Sequence, residues 1–271
     1  MPVGRLSNAF ARAKAENRAA LVAYVMAGDP SLEACAAILD ALPKAGVDVI
    51  ELGFPFTDPM ADGPSIQRAG IRALKNGTTL RKTMALVGQF RQNHPETPLI
   101  VMGYLNPVET MGYDAFARHA AEVGIDGAII VDAPPEEDAE LRAAMQASDL
   151  ALIRLATPTT DAKRLPAVVA GVSGFVYYVS VAGITGDKAI ETADIAEAVA
   201  AVRQASGLPV AVGFGIKTPE AAARTAKIAD GVVVGSALVD VIASAHETGA
   251  DAAQAAAVFC QSLSQAIAQA R

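Results

Sequence analysis

The stretch SLEACAAILDALPKAGVDVIELGF, residues 31–54, holds one helix-to-strand unit. Ser31 stands before Leu32 and Glu33, as a helix N-cap stands before an acidic first turn. The spacing predicts a helix over Ser31–Ala45, and Gly46 supplies the left-handed residue that closes it. Val47–Phe54 then reads as a short strand buried among aliphatic neighbours. Glu51 lies in its interior.

The same unit recurs along the chain. Strands are expected at Leu21–Ala27, Val47–Phe54, Leu99–Tyr104, Gly127–Ala133, Ala151–Thr157, Phe175–Val181, Pro209–Phe214 and Gly231–Gly235. Further helices are expected at Tyr113–Val123, Glu136–Ala147, Asp194–Ala205 and Pro219–Ile228. Asp194 opens one helical run, Thr218 precedes Pro219 at another, and Gly124, Gly171 and Gly207 close others. Alternating strands and helices imply a parallel sheet. Eight units without a Gly-rich dinucleotide fingerprint favour an α/β (β/α)8 TIM barrel, with an open doubly wound sheet as the alternative. Two pieces exceed the eight-fold count. Met1–Asn17 reads as an N-terminal helix covering the barrel bottom, and Ser65–Asn76 as a short helix after strand two. No linker interrupts the pattern, so one domain is expected over residues 1–271.

Hydrophobic residues make up 52% of the chain and aromatics 5%, so Ala, Val, Ile and Leu must build the core. A net charge of −7 disfavours nucleic acid and anionic membranes. Cys35 and Cys260 are too isolated for a disulfide framework or metal motif and read as small packing residues. The charged N-terminal segment does not resemble a signal peptide, and no apolar run is long enough to span a bilayer. A cytoplasmic protein is expected.

In such barrels the chemistry lies at the C-terminal strand ends. Strand alternation puts Val49, Glu51 and Gly53 on one face and Ile50 and Leu52 on the other. If the latter two meet the helices, Glu51 points into the barrel. Desolvation there would raise its pKa and suit it to give and take protons. The alternative is a buried Glu with a neutralising partner, yet the strand holds no basic residue. The next loop carries Asp58 and Asp62 among Pro55, Pro59, Gly63 and Pro64. Asp62 suits a substrate N–H or O–H, but Asp beside Pro and Gly also forms turns. Glycines follow the last three strands at Gly183 and Gly186, Gly213 and Gly215, and Gly235 before Ser236. Exposed backbone N–H groups and a helix N-terminus there would bind phosphate, although each glycine alone also suits a turn. Of Tyr177 and Tyr178 only one can point inward, and Tyr104 and Asp132 end strands on the same face. The three histidines lie away from the strand ends, and no Lys occupies a strand interior. Metal-dependent epimerase and Schiff-base aldolase chemistry are therefore disfavoured, leaving carboxylate acid–base work without a cofactor.

Residues 51–64, ELGFPFTDPMADGP, resemble the signature of the tryptophan synthase alpha chain family. The likeness continues through Gly28-Asp29-Pro30, Tyr177–Gly186, Gly213-Phe214-Gly215 and Gly235-Ser236-Ala237. It implies a lyase that splits indole-3-glycerol phosphate into indole and glyceraldehyde 3-phosphate by retro-aldol cleavage in tryptophan biosynthesis. By this resemblance Glu51 is the acid/base at indole C3 and the glycerol hydroxyl, and Asp62 holds the indole N–H. Tyr24, Tyr104, Tyr177 and Thr185 fall at substrate-binding positions, and Gly186, Phe214, Gly215, Gly235 and Ser236 at phosphate-binding ones. The resemblance also implies a beta-chain partner in an alpha2-beta2 complex, with pyridoxal phosphate on the beta chain alone. Thr57, Met60 and Val181 stand where many or some members carry Ser, Leu and Arg. Two other readings compete: a sugar-phosphate isomerase or epimerase, and a non-catalytic partner subunit that keeps the barrel as a binding surface.

Overall fold

The computed structural model describes residues 4–180, 192–213 and 215–271. Its strands are β1 (Ala20–Met26), β2 (Val49–Gly53), β3 (Leu99–Gly103), β4 (Gly127–Ile130), β5 (Ala151–Leu152), β6 (Leu155–Ala156), β7 (Val176–Val179), β8 (Val210–Gly213) and β9 (Gly231–Val234). The helices are α1 (Gly4–Ala15), α2 (Leu32–Ala41), α3 (Pro64–Lys75), α4 (Leu80–Asn93), α5 (Leu105–Met111), α6 (Tyr113–Glu122), α7 (Ala139–Ala147), α8 (Leu165–Val169), α9 (Thr192–Ser206), α10 (Pro219–Ala226), α11 (Ser236–Glu247) and α12 (Ala252–Ala268). All strand pairs are parallel, in the order β5-β4-β3-β2-β1-β9-β8-β7-β6.

The expected fifth strand is two short pieces at opposite ends of that order, and the barrel closes through them. Ile153 N–H donates to Ala128 O at 3.0 Å on one side, and Tyr177 N–H donates to Arg154 O at 3.1 Å on the other. Between the two pieces the Arg154 guanidinium bonds Asp138 and the carbonyls of Val168 and Ala170, at 3.0 and 2.8 Å, beside the end of α8. Asp138 spends its carboxylate on Arg154 rather than on a helix cap, and α7 begins at Ala139, not Glu136.

The face assignment read from the alternation holds. Val49 packs inside the barrel with Val22, Ile100, Ile129, Ile153, Phe175, Ala211 and Val233. Ile50 and Leu52 join the layer between strands and helices. Helix α1 closes the N-terminal end, where Leu6, Ala9, Phe10 and Ala13 complete the interior cluster. Ser31 and Thr218 cap α2 and α10 by accepting from Ala34 and Ala221 N–H, and Gly46, Gly124, Gly171 and Gly207 all have positive φ. Cys35 and Cys260 are buried, and burial pushes both thiols up to about 12.

One repeated device escaped the sequence reading. Asp48, Asp126 and Asp230 precede β2, β4 and β9, and each accepts a backbone N–H from a neighbouring strand, Leu21, Leu99 and Val210, at 2.9, 2.8 and 2.9 Å. Arginines complete each site: Arg12 and Arg18 on Asp48, Arg5 and Arg91 on Asp126, and Arg203 on Asp230. Asp126→Ala leaves the buried Leu99 N–H without its acceptor and removes the carboxylate partner of Arg5 and Arg91. It should lower stability by about 3 kcal/mol, read by denaturant unfolding.

Candidate active site

The C-terminal strand ends bring Tyr24, Glu51, Asp62, Tyr104, Tyr177, Gly215, Gly235 and Ser236 to one end of the barrel. Tyr24 on β1 is the register partner of Glu51 on β2. Glu51 is 1% exposed, and its Oε2 has no hydrogen-bond partner among the described residues. Burial pushes its carboxyl up to about 8, because the charged form would lose its water without gaining a counter-ion. At neutral pH the group therefore carries a proton it can donate and later recover.

Asp62 lies at the end of the loop between β2 and α3, half-buried. Tyr104 holds it there: its hydroxyl donates to Asp62 Oδ1 at 3.1 Å, accepts Ala61 N–H at 3.0 Å, and its ring stacks on Phe56. Burial raises the Asp62 pKa and the Tyr104 bond opposes that rise. Tyr104, expected as a pocket wall, is thus also the anchor of the acidic loop. Asp132 accepts Leu105 N–H at 2.7 Å and supports the start of α5. Asp58 is exposed.

Tyr177 points inward with the interior cluster, and Tyr178 faces the helices. Tyr24 packs with Met26, Ala69, Ala73 and Val239, and Ile66 and Met102 lie against them, giving the mouth an apolar wall beside Asp62. Gly215 is exposed with φ 73°, and Gly235 precedes α11, whose first residue is the exposed Ser236. The first N–H groups of that helix have no intrahelical acceptor, which suits an anion. Thr185, Gly186 and Phe214 lie outside the described residues, as does Val181.

The sequence reading missed that three glycines, Gly53, Gly103 and Gly213, are rests for aromatic rings. A Cβ at Gly53 would lie 2.1 Å from Tyr24 Oη, at Gly103 2.3 Å from the Phe54 ring, and at Gly213 2.4 Å from Tyr177 Oη. Glycine at a strand end, with an aromatic on the adjacent strand, is the signal that could have found them. Phe54 is buried and leads into the loop that carries Asp62. Gly103→Ala should cost about 1–3 kcal/mol by overpacking and also lower activity, read by thermal unfolding beside a turnover assay.

Among the described residues no helix is long and apolar enough to cross a membrane. The tryptophan synthase alpha chain family model matches residues 10–268. A tryptophan synthase alpha chain of Caulobacter vibrioides is 56% identical over 271 residues, covering 100% of this chain and 98% of the relative. The crystal structure of tryptophan synthase subunit alpha from Legionella pneumophila superposes with a TM-score of 0.92 at 43% identity, covering 98% of each chain. A chain in the open form of tryptophan synthase from M. tuberculosis superposes at 0.86 with 36% identity, covering 97% of this chain and 98% of that one. The buried acid of β2, the barrel around it and these full-length matches together place the chain in the tryptophan synthase alpha chain family, the lyase chain of tryptophan biosynthesis.

Proposed function

We propose that the protein cleaves indole-3-glycerol phosphate to indole and glyceraldehyde 3-phosphate, and that indole passes to a beta chain in an alpha2-beta2 complex. The observation that carries this reading is Glu51, a buried acid with an unpartnered oxygen and a pKa raised to about 8.

In this mechanism protonated Glu51 delivers its proton to indole C3. Positive charge develops on the ring nitrogen, and Asp62, held by Tyr104, accepts the ring N–H and stabilises it. Glu51, now a carboxylate, takes the proton of the adjacent side-chain hydroxyl. The carbon–carbon bond breaks, the aldehyde forms, and Glu51 is again protonated. Tyr24 and Tyr177 wall the pocket. Gly215, Gly235 and Ser236 hold the phosphate by N–H groups, the helix dipole and a hydroxyl. By their place in the family pattern, Gly186 and Phe214 are assigned to phosphate binding and Thr185 to substrate binding. No step needs a cofactor on this chain. Pyridoxal phosphate is assigned to the beta chain.

The test is release of indole from indole-3-glycerol phosphate, followed spectrally, by the chain alone and with its beta chain. Indole release is expected in both cases and faster in the complex. Absence of release in both would favour a non-catalytic subunit.

A further inference from the structure

Two buried polar groups lie side by side at the mouth of the barrel and lack good partners. One is Glu51 Oε2. The other is the Tyr24 hydroxyl, on a side chain 7% exposed, whose polar contact among the described residues is the Met26 sulfur at 4.0 Å. A thioether is a weak acceptor, and a buried phenol ordinarily finds a better one. The hydroxyl rests over Gly53, where a Cβ would be 2.1 Å away. Gly53 is the next inward position after Glu51 on the same strand, nearer the mouth. Donor and acceptor therefore border the same space, and a ligand hydroxyl between them would satisfy both. The other two phenols are placed differently. Tyr104 is committed to Ala61 and Asp62, and Tyr177 rests over Gly213 on β8.

We propose that the Tyr24 hydroxyl donates a hydrogen bond to the substrate hydroxyl oxygen whose proton Glu51 removes, and stabilises the charge that builds on that oxygen as the proton leaves. This rests on the lyase reading above. The balance is complete without a co-reactant. The O–H proton goes to the Glu51 carboxylate, and the O–H electron pair becomes the second bond of the aldehyde carbonyl. The carbon–carbon pair returns to the ring and neutralises the ring nitrogen. Tyr24 keeps its own proton throughout. Burial first, and then the charges of Asp62 and Glu51, raise its pKa well above the ordinary phenol value, so it remains a donor. A preorganised donor aimed at developing charge is the device that lowers such barriers.

The experiment compares two reactions of Tyr24→Phe, which removes only the hydroxyl. Cleavage of indole-3-glycerol phosphate uses the substrate hydroxyl. Exchange of the C3 hydrogen of free indole with D2O uses the ring but has no such oxygen. The expected result is a fall in kcat for cleavage of roughly 10- to 100-fold, with KM little changed and exchange at the wild-type rate. Unchanged cleavage would overturn the proposal. An equal loss of both reactions would also overturn it, since that marks a general disturbance of the pocket. Failure of the lyase reading looks different, because the wild-type chain would then not cleave the substrate at all.

Discussion

Glu51→Gln is expected to lower indole release by about a thousandfold or more, within or above the range for loss of a general acid–base group, while making the folded chain more stable above neutral pH. The loss of activity follows from the role proposed for Glu51. Glutamine keeps the shape and burial but has no proton to deliver to a ring carbon and no basic oxygen to take one back. The gain in stability follows from the carboxyl being held at about 8, against an ordinary value of 4.5. Below about pH 4.5 the group is protonated in both folded and unfolded chains and imposes no penalty. Between 4.5 and 8 the folded chain keeps a proton that the unfolded chain has released, so stability falls as pH rises. Above 8 both states are ionised and the full penalty, on the order of several kcal/mol, is present. Denaturant titrations of both proteins from pH 5 to pH 9 should therefore diverge, the glutamine variant lacking this component of the decline. Parallel curves would mean that the Glu51 carboxyl is not buried in the unpartnered form described. The same protonation should give wild-type kcat/KM a decline above about pH 8.

Asp62→Asn is expected to lower cleavage by about a hundredfold or more, the scale for losing one group aimed at transition-state charge. The amide can still accept from Tyr104 and preserve the loop, so the loss isolates the negative charge beside the ring nitrogen. Tyr104→Phe makes the complementary change. It leaves the charge but frees Asp62 and Ala61 N–H from their anchor. A smaller loss, about tenfold, is expected, because a loosened loop still visits the working position. Steady-state kinetics on the two variants checks the order. A tyrosine variant as damaged as the asparagine variant would mean that placement of Asp62 matters more than its charge.

These effects trace to features legible in the sequence to different degrees. The inward aim of Glu51 follows from alternation along five residues, because Ile50 and Leu52 meet the helices and period two leaves Glu51 no other face. The helix ends were legible wherever a local side chain or glycine determines them, as at Ser31, Thr218 and Gly46. Boundaries set by distant partners were not. Arg154 ties strand five to Asp138, which leaves α7 to begin at Ala139, and to the end of α8, and nothing within Ala151–Thr157 announces those contacts. The described part of α9 already includes Thr192, so Asp194 lies inside the helix rather than opening it. The rests for Tyr24, Phe54 and Tyr177 were hidden because they depend on register between neighbouring strands. Tyr104 was placed at the right end of the barrel, but its grip on Asp62 spans 42 residues, beyond any local pattern.

The aspartates at the entrances of β2, β4 and β9 also bear on how the chain assembles. Their side-chain bonds to the neighbouring backbone span 27, 27 and 20 residues, each one strand–helix–strand unit. Such a unit can close its own bond before the remainder of the barrel exists, and short loops close at low entropic cost. The barrel is thereby divided into locally self-checking modules. The seam at Ile153 and Arg154 joins segments from opposite ends of the strand order and has to wait for both. Amides at Leu21, Leu99 and Val210 should therefore gain protection from hydrogen exchange earlier during refolding than those at the seam.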